Sequence, residues 1–149
     1  MKEIHIKIAK SSKELTDIKE IRRQVFQKEQ GISTNLDFDG KDDESDQIIA
    51  YINNHPVGTA RIRYIDNVTA KIERMAVLKE FRKRDIGKQI VKYISNYIKR
   101  KGLKKIILNA QESARGFYEK LGFNQEGDVF EEANIPHVKM YKNLEKWLL

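Results

Sequence analysis

Between Ala76 and Val91 the chain reads AVLKEFRKRDIGKQIV, where a strand-like apolar run passes into helical periodicity. Arg82, Lys83, Arg84 and Lys88 crowd that junction around Gly87. A strand turning directly into a helix presents the helix's first unpaired N–H groups and the positive end of its dipole. Such a junction holds phosphate, the cations add charge around it, and a glycine lets the backbone approach an anion. The chemistry indicated is binding of a phosphate or pyrophosphate; a solvated basic turn accounts for the residues equally well. Three further side chains have chemical potential. Glu73 alternates with Met75 and Val77 on the strand entering the turn, Tyr118 follows Phe117 in GFYEKLGF, and His137 stands alone in IPH. By residue type alone they fit a surface ion pair, a buried helix face and a structural histidine. The acidic stretch DFDGKDDESD (37–46) has glycine fourth rather than sixth, so it is not an EF-hand loop and no metal site is expected. Within it, Asp37 and Asp39 are candidates to attract a cationic amine.

Composition narrows the classes. A chain of 149 residues is read as one domain, 1–149, large enough to bury a core. Its net charge of +7 asks for an anionic partner, either nucleic acid or a phosphorylated cofactor. The absence of cysteine excludes disulfides, thiolate metal sites and a cysteine nucleophile, so acyl transfer would be direct. No window is apolar enough to span a membrane, and MKEIHIKIAK lacks the core of a secretory signal, so a cytoplasmic address is expected.

The elements that must position these residues follow from periodicity. Ile4, Ile6 and Ile8 alternate as a strand. Ser11 and Glu14 form a capping box ahead of Leu15, Ile18, Ile21, Val25 and Phe26, a helix ending near Gly31. A polar acidic loop spans 35–46. Strands follow at about 47–53, 57–65 and 69–77, with turns at Asn53–Pro56 and Asp66–Asn67. Ile86, Ile90, Val91, Ile94 and Ile98 make one apolar helix face ending at Gly102, and Ile106–Leu108 is a buried strand. Ala114, Phe117, Tyr118 and Leu121 suggest another helix, and two strands lie near 123–126 and 137–141. An antiparallel meander followed by strand–helix–strand gives an α/β fold with a mixed central sheet flanked by helices.

Several of these segments together resemble one family. RKRDIGK (82–88) resembles the acyl-CoA-binding loop of the GNAT N-acetyltransferases, Q/R-x-x-G-x-G/A. IERMAVLKEF (72–81) is similar to that family's fourth strand, and SARGFYEKLGF (113–123) to its A-x-x-F-Y-x-x-x-G-F segment. IRRQVFQKEQGI (21–32) and ANIPHVKMYK (133–142) resemble a subgroup of small bacterial members. The resemblance implies an N-acetyltransferase that moves acetyl from acetyl-CoA directly to a primary amine of a small molecule. It implies a pyrophosphate site on Arg82, Lys83, Arg84, Asp85, Ile86, Gly87 and Lys88, with Asp85 standing where the loop usually has glycine. Met75, Ala76 and Val77 would hold the pantetheine arm by backbone hydrogen bonds, with Asn109 and Phe117 lining its channel. Tyr118 would be general acid toward the CoA sulfur and Glu73 general base. His137 would be a base or acceptor contact, and Phe26, Glu29 and Gln30 would wall the acceptor. The implied assembly is a monomer or homodimer with neither nucleic acid nor membrane as partner. Two rival readings are an acyl-homoserine-lactone-type synthase, similar in its R-x-x-V-F segment but usually longer, and a basic nucleic-acid-binding module. For the latter, Tyr93 and Tyr97 beside Lys92, Lys99 and Arg100 give thin support.

Overall fold

The computed structural model describes residues 3–144. Seven strands, β1 (Ile4–Ile8), β2 (Asp46–Ile52), β3 (His55–Tyr64), β4 (Thr69–Val77), β5 (Lys105–Gln111), β6 (Asn124–Glu132) and β7 (Ile135–Asn143), form one sheet ordered β1-β2-β3-β4-β5-β7-β6. Every neighbouring pair is antiparallel except β4 and β5, which run parallel. This is the mixed sheet expected from the sequence. The helices are α1 (Ser12–Arg22), α2 (Thr34–Asp37), α3 (Ile86–Arg100) and α4 (Arg115–Lys120).

Each element has a local cause. Ser11 Oγ accepts from Glu14 N–H at 3.1 Å while a Glu14 carboxylate oxygen accepts from Ser11 N–H at 3.0 Å, closing the capping box. Beyond Arg22 the helix widens into a π-helical stretch, Arg23–Glu29, whose register shows in the bond from Gln30 N–H to Val25 O, 3.1 Å. Gly31 ends it at φ +70°. Asn53 and Asn54 both take positive φ, the geometry of a two-residue hairpin turn, so β3 begins at His55. Ala133 and Asn134 do the same between β6 and β7, making those strands longer than the sequence suggests. The segment read as a loop at 35–46 instead contains the end of α2 and a 3₁₀ turn, Asp42–Glu44.

The sheet is covered on both faces. On one face the α3 stripe Ile86, Ile90, Val91, Ile94 and Ile98 packs against Ile62, Ile72, Ile106 and Met140. On the other, Ile18, Ile21, Val25 and Phe26 pack on Ile49 and Ala76. Burying each of these large aliphatic side chains contributes about 1.5–3 kcal/mol. Two packed faces hold the middle of the sheet rigidly, and it is there that β4 and β5 part.

Candidate active site

The parallel ladder between β4 and β5 runs from Thr69–Lys105 to Ile72–Leu108 and stops. β4 continues to Val77 and β5 to Gln111 without pairing, so the strands splay. The cause lies on the other side of β4. Thr59 pairs with Ala76 and Arg61 with Glu73, so Ala60 alone faces two residues, Arg74 and Met75. Such a bulge raises local twist and turns a strand away from its neighbour. Arg74 occupies the left-handed region at φ +55°, which costs a non-glycine residue on the order of 1 kcal/mol. Its guanidinium is tied down by Asp37 O at 3.1 Å, Leu36 O at 2.8 Å and the Asp39 carboxylate at 3.3 Å. The splay opens a cleft of about 1160 Å³.

Of the residues expected at the site, Phe26, Gln30, Glu73, Met75, Ala76, Val77, Arg82, Lys83, Asp85, Ile86, Gly87, Lys88, Asn109, Phe117, Tyr118 and His137 line this cleft. Glu29 and Arg84 do not. At one end the turn into α3 puts Lys83 at φ +66° and Asp85 at φ +61°, the left-handed conformation that asparagine and aspartate tolerate best among side-chain-bearing residues. Asp85 occupies the cap position but makes no side-chain cap bond. The first bond of the helix joins Gln89 N–H to Asp85 O at 3.0 Å, leaving the N–H groups of residues 86–88 unpaired among the described residues. Lys83 and Lys88 make no ion pair among the described residues.

The other two cations are engaged. Arg82 makes paired bonds of 2.6 and 2.7 Å to the Glu29 carboxylate and donates to Val77 O at 3.0 Å. Glu29 is therefore a partner of the loop rather than a free acceptor contact, and Arg82 holds it below the usual carboxylate range. Arg84 lies over the Phe81 ring at 5.3 Å. Gly87 packs closely on α4: a Cβ there would meet the Phe117 ring at 3.2 Å, so the ring would have to give by a few tenths of an ångström. That contact sets α4 against the start of α3.

Tyr118 is 7% exposed and sits edge-on to Phe117 at 4.9 Å and Phe123 at 5.7 Å. Burial pushes its phenol well above the ordinary value, and the hydroxyl has no hydrogen-bond partner among the described residues. His137, 6% exposed, lies opposite Gln111 in the β5–β7 ladder. Its Nδ1 is 2.7 Å from Ile135 O. A carbonyl only accepts, so Nδ1 carries a proton and Nε2 points to the cleft side, 3.5 Å from the Glu132 carboxylate. Gln30 accepts from Gln111 Nε2 at 2.9 Å, tying the π-helical segment to β5 at the cleft wall.

Glu73, expected as general base, is held in a network of ion pairs. Its Oε1 accepts from Arg61 at 2.6 and 3.2 Å, and its Oε2 lies 3.1 Å from Lys71 and 3.4 Å from Arg63. Burial pushes the carboxyl up, but the bonds to Arg61 and Lys71 outweigh it and hold the group below its ordinary value. A carboxylate so bound is a poor proton acceptor. Asp37 and Asp39 are likewise taken: Asp37 by buried Arg22 at 3.0 Å, Asp39 by Arg61 at 2.8 and 3.0 Å. They hold arginines and are not free to attract an amine. Sequence reasoning missed Arg22, Arg61 and Arg74. A signal was present, because Arg22 interrupts the apolar stripe Ile18, Ile21, Val25, and a buried charge implies a partner.

Comparison with known proteins gives the class. The family model described as an acetyltransferase (GNAT) domain matches residues 11–144. The protein YyaT of Bacillus subtilis is 40% identical over 146 residues, covering 96% of this chain and 98% of its own. Among solved structures, Escherichia coli ElaA has a TM-score of 0.83 at 27% identity, over 95% of this chain and 99% of its own. A GNAT acetyltransferase from Elizabethkingia anophelis, solved with acetyl-CoA bound, has a TM-score of 0.76 at 20% identity, over 95% and 98%. The chain belongs to the GNAT acetyltransferase family, a family of acyl-transferring enzymes.

Proposed function

We propose that this chain transfers an acetyl group from acetyl-CoA to the primary amine of a small molecule that also carries a carboxylate or phosphate. The observation that carries the donor half is the splay of β4 from β5, which leads to the unpaired N–H groups at the start of α3. Acetyl-CoA in the related Elizabethkingia structure supports the same donor. The free edge of β4 at Met75, Ala76 and Val77 offers N–H and C=O groups to the amide-bearing pantetheine arm. An N–H on this edge also stabilises the oxyanion that forms on the thioester carbonyl. Lys83, Lys88 and the helix start hold the pyrophosphate.

His137 Nε2 takes one proton from the substrate ammonium, the freed amine attacks the carbonyl carbon, and the C–S bond breaks as Tyr118 gives its proton to the departing sulfur. The nitrogen's surplus proton leaves as the amide forms and passes through solvent, from which the Tyr118 phenolate is reprotonated. With no cysteine in the chain, transfer without a thioester on the protein is the simplest course. Charge defines the acceptor. At the far end of the cleft Lys41, Arg63, Lys71 and Arg74 line the wall with Asp37, Asp39 and Glu73, and buried Arg22 and Arg61 bond those carboxylates from behind. Among these lining groups positive charge exceeds negative, while Glu132 lies beside His137. An ammonium near Glu132 and His137 and an anionic group near Arg63 and Lys71 fit that distribution. This replaces the compact cation that the sequence suggests.

The test is thermal shift followed by CoA release. Acetyl-CoA should raise the melting temperature, and Lys83→Glu with Lys88→Glu should remove that shift. Across a panel of amino acids, aminosugars, polyamines and peptides, turnover should concentrate on zwitterionic amines. Arg63→Met with Lys71→Met should raise their KM. Turnover confined to polyamines or peptides would overturn the acceptor assignment.

A further inference from the structure

The cleft also carries an apolar ledge that the transfer chemistry does not use. Val25 and Phe26 of the π-helical segment, Ile32 just beyond it and Leu36 on α2 all line the cleft. Ile32 packs against the cluster of Ile18, Ile21, Val25 and Phe26, and its N–H bonds to Phe26 O at 2.8 Å. Leu36 is 55% exposed. One exposed leucine is ordinary on a protein surface. This one is carried by a segment fastened from beneath. Ser33 Oγ accepts from Leu36 N–H at 3.4 Å, Leu36 O accepts from Arg74 at 2.8 Å, and Asp37 O accepts from both Arg22 and Arg74. Contacts run from the ledge in two directions. Toward the cationic end, Arg74 joins Leu36 O to Asp39, Arg61 joins Asp39 to Glu73, and Arg63 and Lys71 hold the other oxygen of Glu73. Toward the base, Gln30 bonds to Gln111, which lies opposite His137 in the β5–β7 ladder. The ledge therefore stands between the groups assigned to the acceptor's anion and those assigned to its ammonium.

We infer that this ledge receives the hydrocarbon part of the acceptor, so that the acceptor is an amino acid with an aliphatic or aromatic side chain. The inference rests on the zwitterionic reading above and adds the third substituent to it. Small-molecule sites are mostly apolar, with a few polar groups that fix orientation, and the cleft has that division here. The polar ends orient the acceptor, and the ledge discriminates among side chains. Each methylene moved from water onto apolar surface changes affinity about fourfold. A hydroxylated acceptor such as an aminosugar would instead set its hydroxyls against Phe26, Ile32 and Leu36, where no side chain of the ledge can bond them. Leu36 acts on specificity alone, because its backbone, and not its side chain, is what Arg74 grips.

The experiment measures CoA release from acetyl-CoA by the full chain with alanine, serine, valine, leucine, phenylalanine and glucosamine as acceptors. It is repeated with Leu36→Ser and Leu36→Met. The side chain is more than half exposed, so neither substitution opens a core cavity. For the unaltered chain, kcat/KM should rise along the apolar series, with leucine above alanine by about tenfold or more, chiefly through KM. Leu36→Ser should remove most of that ratio, and Leu36→Met should keep it. A flat series, a preference for serine or glucosamine, or a ratio that Leu36→Ser leaves unchanged would overturn the inference. A parallel arm with ethylamine and isopentylamine, which carry no acid group, separates this inference from the zwitterionic reading. Isopentylamine favoured over ethylamine, with amino acids no better than plain amines, would sink the anion's assignment and leave the ledge standing. Amino acids favoured over plain amines whatever their side chain would sink the ledge and leave the zwitterionic reading. Turnover with none of these acceptors would sink both.

Discussion

Tyr118→Phe removes one oxygen from a residue wedged between two aromatic rings, and the structure separates its chemical effect from its structural one. The contacts to Phe117 and Phe123, each worth about 0.5–1.5 kcal/mol, belong to the ring and survive. The hydroxyl has no protein partner among the described residues, so its loss strands no donor or acceptor. Tyr118 lines the cleft and its hydroxyl is not among the buried unpartnered atoms, so removing it breaks no protein hydrogen bond and the melting temperature should change little. Burial keeps the phenol protonated beyond its ordinary value of 10.0, so the proton is available throughout the neutral range. General acid catalysis contributes about 10²–10⁴-fold, so kcat should fall by that factor, equivalent to about 3–5 kcal/mol of barrier. The assay is CoA release at saturating amine, repeated with an acetyl thioester of a more acidic thiol. A better leaving group needs its proton less, so the loss on mutation should shrink with that donor. A variant that turns over at the native rate, or loses equal activity with both donors, would show Tyr118 to be a packing residue. Tyr118→Ala is uninformative by comparison, because truncating a buried aromatic costs about 3–5 kcal/mol of stability by itself.

The base assignment separates in the same way. His137→Gln should lower kcat by about 10²–10⁴-fold. Glu73→Gln should leave kcat within roughly tenfold while lowering the melting temperature, because Arg61, Arg63 and Lys71 lose a shared counter-charge. The reverse pattern would restore Glu73 as base. Acid stability follows from carboxyls depressed in the folded state. Hydrogen bonds from Lys10 N–H and Lys7 lower Glu14 to about 2 from 4.5, and Arg61 pulls Asp39 and Glu73 down as well. A depressed folded value gives stability present above the unfolded value and lost as pH falls through the folded one. The melting temperature should therefore fall between about pH 4.5 and 2, and a rise over that window would contradict the assignment.

Local patterns carried most of the fold into the sequence. The capping box and the α3 stripe each express a short-range rule and appear where the sequence places them, while the turn expected at Asn53–Pro56 narrows to Asn53–Asn54. The cleft's inventory was readable too, since it sits on a strand end and a helix start. The state of each side chain was less readable. Whether Glu73 or Glu29 is free depends on arginines 12 and 53 residues away in sequence, brought near only by folding. The bulge at Arg74 was equally hidden, because its cause is a mismatch of register with β3 and a grip supplied by α2. Ala133–Asn134 lacks the glycine that usually marks such a turn, so periodicity alone makes the last hairpin too short.

The extra residue at Arg74 also acts as a wedge against self-healing. A strand edge left open in the middle of a sheet lies beside the neighbour with which it would most readily pair. Extending the ladder beyond Ile72 and Leu108 would set residues 73–75 of β4 against 109–111 of β5. Removing Arg74 would let Ala60 meet a single partner and allow the two strands to zip shut. The product would gain backbone hydrogen bonds, give up a left-handed residue and have nowhere to hold a substrate. Stability and activity pull in opposite directions at this one position, and selection for stability alone would close the enzyme.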